Sequence, residues 1–326
     1  VLRYIILTEG GGKYGLGHVA RCISFYDAIE QQGDDVAFVI QGDRSVDKLI
    51  GNRKVFFKDW HSNLSEILEN ISKSSAIIVD SYYLSQMDAD LLSSCGVKVL
   101  IIEDFLRLNY TDTTIVDWSL GAEYLSCYSN KEKTNTYLLG TTYLALRKPF
   151  WNVATEGRNS YNSLLITMGG SDIRKLSSSL LSSIKCNFPY LHINVVIGPS
   201  FENISEFQDL KMDNVDMYFS PNEEEMCEIM AQSDFAISGG GQTLYELYAM
   251  GLSIIAIELI ENQHDELKKW KEYSMLQFAG KWNDSNLLER VNESISKHLD
   301  CSDCFMSRRK QPIDTKGVFR ILNSFN

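Results

Sequence analysis

The feature that most limits the fold is a repeated pattern of short, continuously apolar runs separated by amphipathic stretches of helical length. In the first half "YIIL", "VAFVI", "KVFF", "AIIVD" and "VKVLIIE" alternate with segments such as "HVARCISFYDAIEQQG" and "NLSEILENISK". A strand with one wet face alternates apolar and polar residues. A run that is apolar throughout is buried on both faces, which requires a parallel sheet covered by helices. The rhythm lapses after about residue 105 into a Tyr-, Thr- and Asn-rich section ending in "LLGTTYLALRKPFW", then restarts with "SLLITMGGSD", "HINVVIG", "VDMYF", "FAISGGG" and "LSIIAIEL". The pattern predicts an α/β protein of two Rossmann-like doubly wound domains in series, residues 1–150 and 151–326, with the seam near Arg147 to Ser160 and a last helix able to pack back on the first domain. Ligands of such sheets sit beyond the carboxyl ends of the strands, so the two domains are expected to face a common cleft.

A length of 326 residues suits two domains, and 44% hydrophobic with 23% charged residues is the balance of a chain that buries a core. The net charge of −12 argues against nucleic acid as a partner, because phosphate-backbone binding needs clustered Lys and Arg. Small anions remain open, since backbone N–H groups hold them without basic residues. The chain opens on an apolar strand with no charged leader, and no apolar run nears the length of a span. It is read as cytoplasmic, without stable membrane association. Seven cysteines, an odd and scattered number, make no disulfide framework, and the lone "CSDC" at 301–304 is read as ordinary thiols; no metal and no cofactor are expected.

Several glycine-containing turns carry the chemistry. "EGGGKYGLGHVARC" follows the first strand. Gly10-x-Gly12-x-x-Gly15 matches a dinucleotide fingerprint, with Asp43 as its ribose acid, and would make the protein an oxidoreductase. The other reading lets backbone at Gly15 and Gly17 approach a substrate and puts His18 at the start of a helix. There the positive end of the dipole keeps the imidazole neutral, able to take a proton from water. A packing role for His18 stands beside these. "AIIVDSYYL" sets Asp80 and Tyr82 at a strand end, where Asp80 could orient His18 and Tyr82 could hydrogen-bond a sugar or a water; Glu103 and Asp104 occupy an analogous end. In the second half "SGGGQTLYE" ends a strand in three glycines and enters a helix near Gln242, so that Gly240, Gly241, Gln242 and Thr243 offer N–H groups and a hydroxyl to a diphosphate. Glu246, one turn on, is placed for two vicinal ribose hydroxyls. Gly169, Gly170 and Ser171 of "ITMGGSD" form a second turn for the phosphates or the sugar. Asn262 and Gln263 of "ENQHDE" are amide donors, with Asn262 as a plain helix N-cap the alternative.

In the same order, "GLGHVARC", "IIVDSY", "LLGTTYLALRKPF", "ITMGGSD", "SGGGQTLYE" and "ENQ" resemble the landmarks of the UDP-sugar hydrolases of pseudaminic acid biosynthesis and their spore-coat polysaccharide relatives. The resemblance runs to about residue 280. It implies a GT-B type fold related to MurG-like glycosyltransferases and a bacterial enzyme that needs neither metal nor cofactor. The implied reaction releases UDP from UDP-2,4-diacetamido-2,4,6-trideoxy-β-L-altropyranose with inversion at C1. It further implies His18 as base, Tyr82 as its assistant, a ligand contact for Arg21, Glu246 on the ribose, the Gly240–Thr243 turn on the diphosphate and Asn262 near the sugar phosphate. Ser81 stands where the family often carries His and Glu103 where Asp is usual, so a different nucleotide sugar, or a transferase acting on an acceptor, remains an alternative. A silent nucleotide-sugar binder is a third.

Overall fold

The computed structural model describes residues 3–71, 75–104, 106–129, 133–153, 162–202, 204–208, 210, 212–300 and 313–325. The "CSDC" segment lies outside them. The chain divides into two compact units: Val1–Trp151 together with Asp314–Asn326, and Asn152–Ile313. The second unit is thus an insertion within the first.

The first unit carries β1 (Arg3–Gly10), β2 (Asp35–Gly42), β3 (Val55–Phe57), β4 (Ser75–Asp80), β5 (Lys98–Ile102), β6 (Thr114–Asp117) and β7 (Thr136–Leu139). All pair in parallel in the order β3-β2-β1-β4-β5-β6-β7. The five long apolar runs become β1 to β5, and β4 is buried at every residue. The section after residue 105, where the rhythm lapses, adds β6 and β7, each four residues long and set among Tyr, Thr and Asn residues that hide the apolar pattern. Leu7, Val39, Trp60, Ile77, Val79, Leu92 and Ile101 belong to the core on one side of this sheet. The helix Gly17–Gln31 buries Val19, Cys22, Ile23, Tyr26 and Ile29. The helix Gly317–Phe325 packs against it and buries Val318, Ile321, Leu322 and Phe325, a spacing of three and four that makes one apolar stripe. Those four side chains contribute roughly 1.5–3 kcal/mol each before ordering costs. Lys98 Nζ donates to Phe325 O at 3.1 Å, and Thr315 Oγ1 to Trp151 O at 2.9 Å.

The second unit has β8 (Ser163–Thr167), β9 (His192–Ile197), β10 (Val215–Phe219), β11 (Phe235–Gly239), β12 (Ser253–Glu258) and β13 (Gln277–Lys281), parallel in the order β10-β9-β8-β11-β12-β13. Leu164, Ile166, Ile193, Val195, Ile237 and Ile255 are at its centre. In each sheet the strand order reverses beside the first strand, between β1 and β4 and between β8 and β11. Such a switch point opens a crevice at the carboxyl ends, because the connections leave toward opposite sides.

Candidate active site

In the first unit the β1–β4 register pairs Thr8 with Asp80, so Glu9 and Gly10 emerge beside Ser81 and Tyr82. The loop that follows β1 closes on itself: Gly11 N–H donates to Gly15 O at 2.9 Å and Gly15 N–H to Gly11 O at 2.7 Å. Gly15 stands at φ +78°, a conformation costly for residues with a Cβ. Asp43 accepts the Gly12 and Ser45 N–H groups, both at 2.9 Å. This corrects the dinucleotide reading. The helix starts at Gly17, after a closed hairpin rather than within the glycine motif, and Asp43 serves the loop's own amides.

His18 is the second residue of that helix. Its Nδ1 lies 2.8 Å from Asp80 Oδ1. Arg21, one turn on, reaches the same carboxylate through Nε at 2.5 Å and Nη2 at 2.6 Å, and reaches Asp104 through Nη1 at 3.0 and 3.2 Å. Tyr82 donates its hydroxyl to Asp104 Oδ2, and its ring stands edge-on to His18 with centroids 4.6 Å apart. Asp80 is fully buried. Burial would raise its pKa, yet the Arg21 and His18 charges hold it well below the ordinary carboxylate range. An ionised Asp80 only accepts, so the proton on neutral His18 sits at Nδ1 and the Nε2 lone pair is left for a proton.

Electrostatics here reverse the expectation from the helix dipole. Burial lowers the proton affinity of His18 and Arg21 opposes protonation, but the Asp80 charge and hydrogen bond, with a further lift from Glu9, carry His18 above the usual histidine value. A carboxylate at hydrogen-bond distance outweighs the partial charge of a helix terminus. Partial burial and the Asp104 charge push Tyr82 up, keeping it a hydrogen-bond donor. Burial and Asp80 also push up the Cys22 thiol, which points at Asp80 Oδ2 from 3.6 Å, so it is no thiolate nucleophile. Asp80 is sealed from solvent, as suits a residue that orients His18 rather than one that touches a ligand, and Arg21, expected at the ligand, has its guanidinium between two carboxylates. Glu103 pairs with Arg107 at 3.0 Å and accepts the Tyr110 hydroxyl at 2.9 Å, a brace rather than a second Asp104.

The second unit presents a different surface. Met168, Gly169, Ser171, Gly240, Thr243 and Gln263 are among the residues that line a cavity of about 140 Å³ at the carboxyl ends of β8, β11 and β12. The helix Gln242–Ala249 begins at this cavity, behind Gly241. Its first N–H groups have no intrahelical acceptor, which suits an anion. Gln263 ties the cavity together: its Nε2 donates to Gly240 O at 2.9 Å, and its Oε1 accepts Leu259 N–H at 2.9 Å. A Cβ on Gly240 would lie 2.9 Å from Gln263 Cδ, so the amide crosses where only glycine leaves room. Gln263, read as a ligand donor, is therefore a strut of the turn. Gly170 is exposed, and its carbonyl accepts Ser200 N–H at 2.9 Å. Glu246, one turn into that helix, is 1% exposed. Asn262 is exposed within the turn Glu261–Gln263; the following helix is capped by Gln263 without a side-chain bond, so Asn262 is not an N-cap.

Two residues at the first site carried no signal in the motifs. Glu9 hides between an apolar strand and glycine, and His61 lies in the turn after β3. Among the described residues no group of His, Cys, Asp and Glu is arranged to hold a metal ion, and no helix is long and apolar enough to cross a membrane.

Comparison with known proteins adds to this geometry. No family model matches the chain. It is 27% identical over 82% of its length to an uncharacterized protein of Methanocaldococcus jannaschii. It is 26% identical over 89% of its length to the pseudaminic acid cytidylyltransferase and UDP-2,4-diacetamido-2,4,6-trideoxy-β-L-altropyranose hydrolase of Helicobacter pylori. The match spans 59% and 51% of those two relatives. The UDP-2,4-diacetamido-2,4,6-trideoxy-β-L-altropyranose hydrolase of Campylobacter jejuni is 21% identical over 80% of this chain and 93% of its own. Among solved structures, MurG of Acinetobacter baumannii superposes with a TM-score of 0.62 at 13% identity, covering 98% of this chain and 99% of that one. The calicheamicin glycosyltransferase CalG4 gives 0.63 at 10% identity, covering 99% and 98%. The fold is the GT-B fold, and the chain resembles the hydrolases over most of its length.

Proposed function

We propose that the protein hydrolyses a UDP-linked diacetamido-trideoxy hexose to UDP and the free sugar, without a metal ion and with inversion at the anomeric carbon, in the synthesis of pseudaminic acid or a related surface glycan. The observation that carries this reading is His18, held at Nδ1 by a sealed Asp80 in a chain similar to named hydrolases. Water gives one proton to His18 Nε2 and its oxygen to C1. The C1–O bond breaks with its electron pair passing to the departing UDP. Asp80 stabilises the imidazolium that forms, and Tyr82, whose proton goes to Asp104, offers its hydroxyl oxygen to a hydroxyl or amide N–H of the sugar. The amides of the Gly240–Thr243 turn take up the charge that grows on the diphosphate. Ser171 and Asn262 are assigned to the sugar-phosphate end, and Glu246 to the ribose once its carboxylate is uncovered.

The GT-B neighbours favour a second reading, a glycosyltransferase with the same donor and an acceptor hydroxyl in place of water. An NMR time course with UDP-2,4-diacetamido-2,4,6-trideoxy-β-L-altropyranose alone separates the two. Stoichiometric UDP with inverted free sugar is expected. Binding without turnover until an acceptor sugar is supplied would replace hydrolysis by transfer.

A further inference from the structure

Glu9 is a buried charge that the reaction as written leaves without a task. It is the penultimate residue of β1, 0% exposed, at the carboxyl end of a central strand. Its Oε1 accepts the Tyr82 N–H at 3.0 Å and lies 3.9 Å from His18 Nε2. Its Oε2 lies 3.6 Å from His61 Nε2. Among the described residues neither of those last two atoms has a hydrogen-bond partner. The His61 ring is held in place by stacking on Trp60, centroids 3.9 Å apart, whose indole donates to Thr8 O at 2.8 Å. One sealed carboxylate is therefore faced by two imidazoles through the same ring atom. Leaving such an oxygen unpaired is costly, so a site that keeps it calls for a use.

We infer that Glu9 is a positioning residue for His18: a second carboxylate, acting on the Nε2 side that receives the proton while Asp80 holds Nδ1, and fixing through its N–H the Tyr82 ring that stands against the imidazole. The charge arrangement supports it. His18 is faced by Asp80 from the end of β4, by Glu9 from β1, by Arg21 from its own helix and by Tyr82, with Asp104 behind Arg21 and Tyr82. Arg21 is shared by Asp80 and Asp104, both of which it contacts directly, so its charge is committed away from Glu9. Glu9 itself is faced by His18, His61 and the Tyr82 amide. When Nε2 gains a proton, Glu9 is the negative group on that side. The inference rests on the hydrolase reading for what the proton does, but the charge relation is a property of the free protein.

Glu9→Gln tests it. The amide keeps an oxygen for the Tyr82 N–H and offers its NH₂ toward His61, so the packing survives and the charge is removed. Titration of the His18 imidazole by NMR is expected to move about one unit lower. The acid limb of the kcat/KM profile should move with it, and turnover should fall roughly threefold because the base is weaker. A His18 titration unchanged in Glu9→Gln overturns the inference, whatever happens to activity. If that variant does not fold, Glu9→Asp, which keeps the charge but draws it back, should give a smaller downward shift; no shift there overturns the inference equally. The NMR readout needs no substrate. A wild-type protein that hydrolyses no nucleotide sugar, yet whose His18 titration moves lower in Glu9→Gln, would defeat the hydrolase reading and leave this one standing.

Discussion

The two switch points of this molecule share an architecture and almost nothing else. At the first, the carboxyl ends of the strands carry Glu9, Asp80, Tyr82 and Asp104, with His18 and Arg21 brought against them by one helix. At the second, the lining carries glycines with Ser171, Ser238, Thr243 and Gln263, and no carboxylate or imidazole is among its residues. Side chains tune proton affinity, whereas main-chain amides hold an anion with no protonation state of their own. Under the proposed hydrolysis the contrast becomes a division of labour: proton chemistry falls to the first unit and anion binding to the second.

The sharpest way to break that division is His18→Asn. Turnover should fall by roughly 10²- to 10⁴-fold while UDP affinity, read by titration calorimetry, stays unchanged. Near-normal turnover would place the base elsewhere. Asp80→Asn comes next. It removes the charge that raises His18 and strips Arg21 of one of its two carboxylates, so the acid limb of the rate profile should shift to lower pH. Turnover should drop by about 100-fold, with about 3–5 kcal/mol of stability lost from a broken buried pair. An unmoved pH profile would mean that Asp80 only packs.

The units should also differ in how pH affects stability. Asp117, buried at the end of β6, is raised to about 6 by burial, with Asp104 adding to the rise and the Ser119 hydrogen bonds opposing it. Its folded value lies above the unfolded one, so its contribution is full below about 4 and lost as pH rises through about 6. His298 in the second unit is lowered to about 4 by burial, against the pull of Asp234. Its contribution is full above about 6.5 and lost as pH falls through about 4. Each effect is about 3 kcal/mol. Denaturation curves at pH 4 and pH 8 should show Asp117→Asn gaining stability only at the higher pH and His298→Leu losing its acid sensitivity. A pH-independent difference from wild type in either variant would remove that residue from the comparison. The smallest effect is expected of Gly240→Ala, whose added carbon displaces Gln263. UDP binding should weaken about tenfold with the acid limb of the rate profile where it was; a moved limb would show the two sites to be coupled.

Much of the fold was legible because buried parallel strands announce themselves as apolar runs, as "AIIVD" does for β4. Strands β6, β7 and β13 were not: "TIVD" and "TYLL" begin on Thr and lie in a stretch rich in Tyr, Thr and Asn, and "QFAGK" is broken by a glycine beside a shift in register. The meeting of His18 with Asp80 was readable as a helix start facing a strand end. Arg21 was misjudged because the spacing that puts it on the His18 face also delivers it to Asp80. The burial of Glu246 was not legible because helical spacing says which residues share a face and not whether that face is covered. Glu9 gave no sign, since a carboxylate at a strand end looks like the first residue of a loop until its neighbours in space are known.

The helix Gly317–Phe325 has a consequence for how the protein is made. A ribosome finishes the entire second unit, through Ile313, before it supplies the stripe Val318, Ile321, Leu322 and Phe325 that covers the helix bearing His18. The part begun first is therefore completed last. The helix bearing His18 gains its final support only after the second unit has had all of its own chain.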